Sequence, residues 1–154
     1  MALRHAFLLV LLALMTVAAV PAGVRAAELR VETVVIETES GRHSFATEIA
    51  DTDQTRGRGL MFRRHLAADH AMLFIWGAPI QAAMWMKNTF IPLDMLFVAE
   101  DGRVVHIAAN TTPQSLTVIT AGQPVRAVIE LAGGTAARLG IKTGSRVRHK
   151  LFGG

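Results

Sequence analysis

Short apolar stretches, each closed by glycine, proline or a turn-forming pair, recur along this chain and leave little room for long helices. Leu29 to Ile36 opens with apolar and polar residues in alternation and then runs apolar. Ser40-Gly41 is a turn signal, and His43 to Ile49 again mixes the two residue types. Met72-Leu73-Phe74-Ile75-Trp76 ends at Gly77 and Pro79. The clearest hairpin is Met95-Leu96-Phe97-Val98, Asp101-Gly102, Val104-Val105-His106-Ile107. Leu116 to Thr120 and Val125 to Leu131 read as strands parted by Ala121-Gly122-Gln123-Pro124, with a last strand near Val147 to Leu151. Helices are few. Asp53 caps a short turn that Gly57 and Gly59 weaken, and Thr135 to Leu139 makes a short helix that Gly140 ends. The expected fold is mainly β: a small jelly-roll-like β sandwich or barrel with one or two short helices, after an N-terminal signal helix.

The signal reading rests on the first 26 residues. Arg4 and His5 precede an uncharged run from Ala6 to Val20, apolar but for Thr16. Pro21, Ala22 and Gly23 break it, and Val24-Arg25-Ala26 presents small residues for cleavage after Ala26. An uncleaved anchor is the competing reading, since Ala6 to Val24 is just long enough to span a bilayer. Residues 1–26 are thus expected as a signal peptide and 27–154 as one β-sandwich domain, periplasmic or secreted. Membrane contact is expected only through the leader, if it stays uncleaved.

Charge and cysteine content narrow the chemistry. Without Arg4 and Arg25 the 16 basic residues become 14 against 12 acids, a balance too mild to point to a nucleic-acid partner. The absence of Cys excludes disulfides, thiolate metal sites and a cysteine nucleophile. His43, His65, His70, His106 and His149 lack zinc spacing, and no Gly-x-Ser-x-Gly surrounds a serine. Lys142-Thr143-Gly144 has no accompanying Ser-x-x-Lys. Met61, Met72, Met84, Met86 and Met95 suit copper(I) chemically, yet methionine is also ordinary core filler. No cofactor is expected.

The segment from Met84 to Asp94 carries the most chemistry. Read as a strand, it puts Trp85, Lys87 and Thr89 on one face and Met84, Met86 and Asn88 on the other. Lys87 then offers a cation for an anionic ligand, with Asn88, Thr89 and Asp94 orienting it. The structural alternative makes Asn88 and Asp94 turn formers bonded to nearby amides, with Lys87 neutralising a carboxylate. Upstream, Arg56, Arg58, Arg63 and Arg64 surround Gly57 and Gly59. Arg56 and Arg64 are read as locally paired with Asp51, Asp53 or Asp69, while Arg58 and Arg63 stay open for an anion. Glu130 sits in an otherwise apolar strand; if buried it needs a cation, and Lys87 and Arg63 are the candidates.

Five segments in order carry a resemblance: Arg58-Gly59-Leu60-Met61-Phe62-Arg63, Ala71-Met72-Leu73-Phe74, Trp85-Met86-Lys87-Asn88-Thr89-Phe90-Ile91-Pro92-Leu93-Asp94, Val128-Ile129-Glu130-Leu131-Ala132-Gly133-Gly134 and Gly140-Ile141-Lys142-Thr143-Gly144. Together they resemble the bacterial and archaeal domain-of-unknown-function family 192, from about Val31 to Val147. The resemblance implies a small, mostly β sandwich of jelly-roll type, often exported or membrane-anchored, and no established reaction, ligand or cofactor. It departs from the family's pattern at Ala71, where Gly is common, and at Met84, where Phe often stands. The positions matching its polar motif are Arg63, Lys87, Asn88, Thr89, Asp94 and Glu130.

The functional expectation is an exported binding or interaction module for a small anionic or saccharide-like ligand, or a protein partner. An alternative from another class is an enzyme with Asp94 or Glu130 as general base and Lys87 polarising the substrate. A methionine-based copper protein is the third reading.

Overall fold

The computed structural model describes residues 29–153, so the leader, its cleavage after Ala26 and the signal helix lie outside the described residues. β1 (Val31–Thr38) and β2 (Gly41–Ala50) form a hairpin through the Ser40-Gly41 turn, in the register Val34↔Phe45. A short helix, α1 (Asp53–Arg58), leads towards β3 (His70–Ile80), which lies parallel to β2. β4 (Leu93–Val98) and β5 (Val104–Ala108) make the expected hairpin, and β6 (Val125–Ala132) inserts between β3 and β4. α2 (Thr135–Leu139) follows, and β7 (Arg146–Arg148) pairs with β1 before a single 3-10 turn at Lys150–Phe152.

The strands form one sheet in the order β5-β4-β6-β3-β2-β1-β7. It curls until its two edges meet: Arg103 bridges Arg146, the Val104 amide donates to the Ser145 carbonyl at 2.9 Å, and the Val147 amide donates to the Gly102 carbonyl at 2.7 Å. Edge amides that would otherwise template aggregation are thereby paired. The mainly β class with two short helices is what the sequence led us to expect. Of the two forms anticipated, the single curled sheet lies on the barrel side.

Both faces of the central strands are covered. The inner face packs Val34, Ile36, Phe45, Leu73, Leu96, Ile129, Leu131 and Val147 into one core. On the outer face, Met72, Phe74, Met95, Phe97 and Val128 meet Leu60, Leu66, Ala82, Met84 and Met86 from the long connections. Two-sided burial explains why β4 is buried at every position and reads as an apolar run interrupted by Asp94.

Local details differ from the sequence reading. Leu116 to Thr120 is no strand; it contributes one isolated bridge, Ile119 to Met84. The anticipated strand of Val147 to Leu151 stops at Arg148 and tightens into the 3-10 turn, whose first amides His149 caps. The cap of α1 is Thr52 rather than Asp53. Its hydroxyl accepts from the Thr55 amide at 3.1 Å while the Thr55 hydroxyl accepts from the Thr52 amide at 3.0 Å, a reciprocal pair that Asp53, one residue on, cannot make. Among the described residues no helix is long and apolar enough to cross a membrane.

Candidate functional site

The stretch from Ala82 to Thr89 is where sequence and structure part most informatively. Alternation holds at first: Ala82, Met84 and Met86 are buried, while Ala83, Trp85 and Lys87 face out. Only Met84 is bridged, however, and the chain turns at Lys87-Asn88. Asn88 adopts φ 56°, a left-handed conformation that Asn tolerates well, and this reverses the parity. Thr89 therefore points inward at 5 % exposure, not outward beside Lys87.

The six residues singled out from the sequence separate accordingly. Asp94 is fully buried and points to the inner face, with β4 alternation sending Leu93 and Met95 outward. Its Oδ1 accepts from the amides of Asn110 at 2.8 Å and Gly134 at 3.1 Å, and its Oδ2 accepts from that of Ala136 at 2.7 Å. This is the turn-forming alternative, carried by amides 16, 40 and 42 residues downstream rather than nearby ones. Lys87 lies across the sheet from it, exposed, with its ammonium 5.2 Å from the Trp85 ring centroid. The quartet of Lys87, Asn88, Thr89 and Asp94 is therefore not one patch. Asn88 serves the backbone: its carbonyl accepts from the Phe62 amide at 2.8 Å.

Arg63 is no partner of Glu130. Both of its terminal nitrogens reach Glu48 on β2, each at 2.5 Å, and that fork of hydrogen bonds raises its pKa against the opposing effect of burial. Strand registry explains the choice. Glu48, Met72, Glu130 and Met95 form one row across β2, β3, β6 and β4 on the outer face, and Arg63 covers the Glu48 end. A lysine presents a point charge instead of a fork, so Arg63→Lys is expected to lose about 1 kcal/mol of stability and Arg63→Ala about 2. Urea unfolding of both variants beside Glu48→Gln checks this; a lysine variant as stable as wild type would remove the bidentate role.

Glu130 is left alone in that row. It is 4 % exposed, flanked by fully buried Met72 and Met95, and no hydrogen bond or ion pair to it occurs among the described residues. Burial pushes its carboxyl up to about 8, so it is mostly protonated at neutral pH. It opens onto a cavity of about 280 Å³, which Thr89 also lines.

Three elements build the rest of that cavity. α1 and the loop after it supply Arg56, Arg58, Gly59, Leu60 and Met61; β3 supplies Phe74 and Trp76; the segment 83–85 supplies Ala83, Met84 and Trp85. Arg56 anchors α1 to β3, donating to the Ile75 carbonyl at 2.7 Å and pairing with Asp53 as the sequence suggested. Gly59, at φ 48°, lets the loop lie on Phe74: a Cβ there would stand 3.0 Å from the Phe74 ring. Both lining arginines stand over aromatic rings, Arg56 at 5.9 Å from Trp76 and Arg58 at 5.9 Å from Phe62, and Arg64 stands 5.7 Å from Phe90. Arg58, Arg64 and Lys87 have no carboxylate partner among the described residues, contrary to the local pairing expected of Arg64. Phe62 is 52 % exposed and held at φ 66°, a conformation bulky residues rarely adopt.

Trp76, Trp85 and Phe74 were not among the candidate site residues. Phe74 and Trp76 share strand parity with Met72, but no local pattern places that face opposite Glu130, because β3 and β6 are joined only by the fold. The methionines serve as core: Met72, Met86 and Met95 are fully buried, and the Met86 sulfur accepts from the Thr111 hydroxyl at 3.1 Å. No group of three or more His, Asp or Glu able to hold a metal ion occurs among the described residues.

The model of the family DUF192, described as Uncharacterized ACR, matches residues 34–149. A protein of unknown function from Novosphingobium aromaticivorans is 45 % identical; the match covers 86 % of this chain and 94 % of that one, with a TM-score of 0.78. A Sinorhizobium meliloti protein, described as a candidate transcription regulator, is 41 % identical over 82 % of this chain and 99 % of its own, with a TM-score of 0.79. No curated protein matches the chain.

Proposed function

This chain belongs to the uncharacterised family DUF192, and from that footing we propose that it is a binding module that takes a small ligand, or one end of a longer one, into the cavity beside Glu130. The observation that carries this reading is a nearly buried, unpartnered carboxyl opening into a cleft with two tryptophans and two arginines at its walls. Native interiors rarely leave such a group unpaired without a use for it. At about 280 Å³ the cleft is at the small end of ligand sites and suits a single sugar ring or a short acyl group. Exposed Trp85 offers a stacking face, and Arg58 offers positive charge with no acid paired to it among the described residues.

A second reading keeps the same site but makes Glu130 a proton carrier in catalysis, since a carboxyl near 8 is poised for general acid or base work at neutral pH. Asp94 is no base in that scheme, its oxygens being taken by amides, and Lys87 does not line the cleft. Export rests on residues 1–26 and remains part of the proposal. Sequencing the amino terminus of protein from cell fractions tests it: Ala27 in the periplasm supports it, and Met1 in the cytosol overturns it.

Calorimetric titration with sugar acids and N-acylated amino acids tests the binding reading. Trp85→Ala and Arg58→Ala are each expected to weaken binding at least tenfold while leaving the melting temperature within about 2 °C, since neither side chain supports the core. Binding that survives both substitutions would place the site elsewhere.

A further inference from the structure

We propose that the cleft selects ligands bearing a carboxylate and holds that group by a shared proton on Glu130, so that binding is coupled to protonation; this deepens the binding reading and rests on it. The geometry argues it first. Among the described residues Glu130 is the one acid on the walls and its carboxyl has no internal partner, and Arg56 and Arg58 stand on the facing helix. Arg56 is engaged by Asp53 and the Ile75 carbonyl, which leaves Arg58 as the free counter-charge.

An ionised Glu130 would repel an incoming carboxylate, and the apolar surroundings of Glu130 would strengthen that repulsion. A protonated one does the opposite: it donates its O–H to the ligand oxygen while Arg58 neutralises the charge. A neutral ligand such as an unmodified sugar would leave Arg58 without its anion. Keeping a carboxylic acid neutral in apolar surroundings so that it can donate is an established use of burial.

The surroundings favour the protonated form. β3 and β4 present Met72, Phe74, Met95 and Phe97 to Glu130, none of them titratable. On β2 the Glu48 carboxylate is held by Arg63, and the Lys87 ammonium lies over Trp85. Arg126, four residues along β6, is not bonded to Glu130. With burial lifting Glu130 to about 8, loss of its proton removes the binding-competent form as pH rises.

Matched probes test the inference on the full-length protein: D-galacturonate against D-galactose, and N-acetylalanine against N-acetylalaninamide, titrated by calorimetry and followed by amide chemical shifts. In each pair the acid is expected to bind at least tenfold more tightly than its neutral counterpart, and the better of the two acids tells a sugar source from a peptide one. Its dissociation constant should rise about tenfold from pH 7 to pH 9. Glu130→Gln, which keeps a donor but cannot ionise, should bind at pH 7 and lose that pH dependence; Arg58→Ala should weaken the acid and not the neutral probe. Acid and neutral probes bound equally, or a pH response unchanged in Glu130→Gln, would overturn this inference while leaving the binding reading intact. Shifts absent from cleft residues with all four probes would overturn both.

Discussion

Asp94→Ala is expected to lower the free energy of unfolding by about 3–5 kcal/mol, among the largest losses any single substitution in this chain would cause. The fully buried carboxylate ties three parts of the chain together: the start of β4, the loop at Asn110, and the Gly134 to Ala136 entry into α2. Its removal strands the buried Ala136 amide and leaves the part-buried Asn110 and Gly134 amides without their acceptor, and each unsatisfied donor costs roughly 1–3 kcal/mol before relaxation. The site has little room to adjust. Gly133 packs so closely on Pro92 and Asn110 that a Cβ would sit 2.9 Å from the Asn110 Oδ1. Asp94→Asn keeps one accepting oxygen and is expected to lose about 2 kcal/mol, its NH2 group facing a donor on one side. Urea unfolding at neutral pH measures both. A loss below about 1 kcal/mol for the alanine variant would mean that this carboxylate is not what holds the three segments.

Glu130 should act on stability in the opposite sense, and with a pH signature. Its folded-state value of about 8 lies above its ordinary 4.5, so between those limits the native protein binds more protons than the unfolded chain. Unfolding free energy therefore falls as pH rises. The contribution is fully present below pH 4.5 and is lost as pH climbs through about 8. Across that window the wild type is expected to lose on the order of 4 kcal/mol relative to Glu130→Gln, which has no such proton to lose. Glu130→Met, a volume-conserving change between Met72 and Met95, should be more stable than wild type at pH 8 while losing ligand binding. That is the signature of a residue kept for function at the expense of stability. Chemical denaturation of the three proteins from pH 5 to pH 9 supplies the comparison. Parallel curves for wild type and Glu130→Gln would show that the Glu130 carboxyl titrates normally.

These two acids illustrate how far the sequence carries. Asp94 and Glu130 both stand in apolar strands and both are buried, yet one is saturated with hydrogen bonds and the other has none among the described residues. Local pattern marked each as a residue needing explanation, because a buried carboxylate must be paired or neutral. It could not say which outcome applied, since the amides on Asp94 come from residues up to 42 positions away. Likewise, Arg63 matched Glu130 by charge, but the parallel pairing of β2 with β3 brought Glu48 into the same row and Arg63 settled there.

The turn at Asn88 makes the same point at shorter range. Period-two alternation assigned Thr89 to the side of Lys87, and it was right for every position from Met84 to Lys87. One residue with φ 56° then inverted the rest, carrying Thr89 into the cleft wall and leaving Lys87 outside.

What the sequence determined by itself was most of the elements: the hairpins at Ser40-Gly41 and Asp101-Gly102, the short helix closed by Gly140, and the strands whose apolar runs require cover on both faces. These follow from dihedral preferences and side-chain period, which act over a few residues. Only the tertiary structure decided that Glu130 faces a cleft without a partner and that Lys87 and Asp94 lie on opposite sides of the sheet. Strand order and registry bring together residues far apart in the chain, and nothing in the neighbourhood of either residue encodes who its neighbours across the sheet will be.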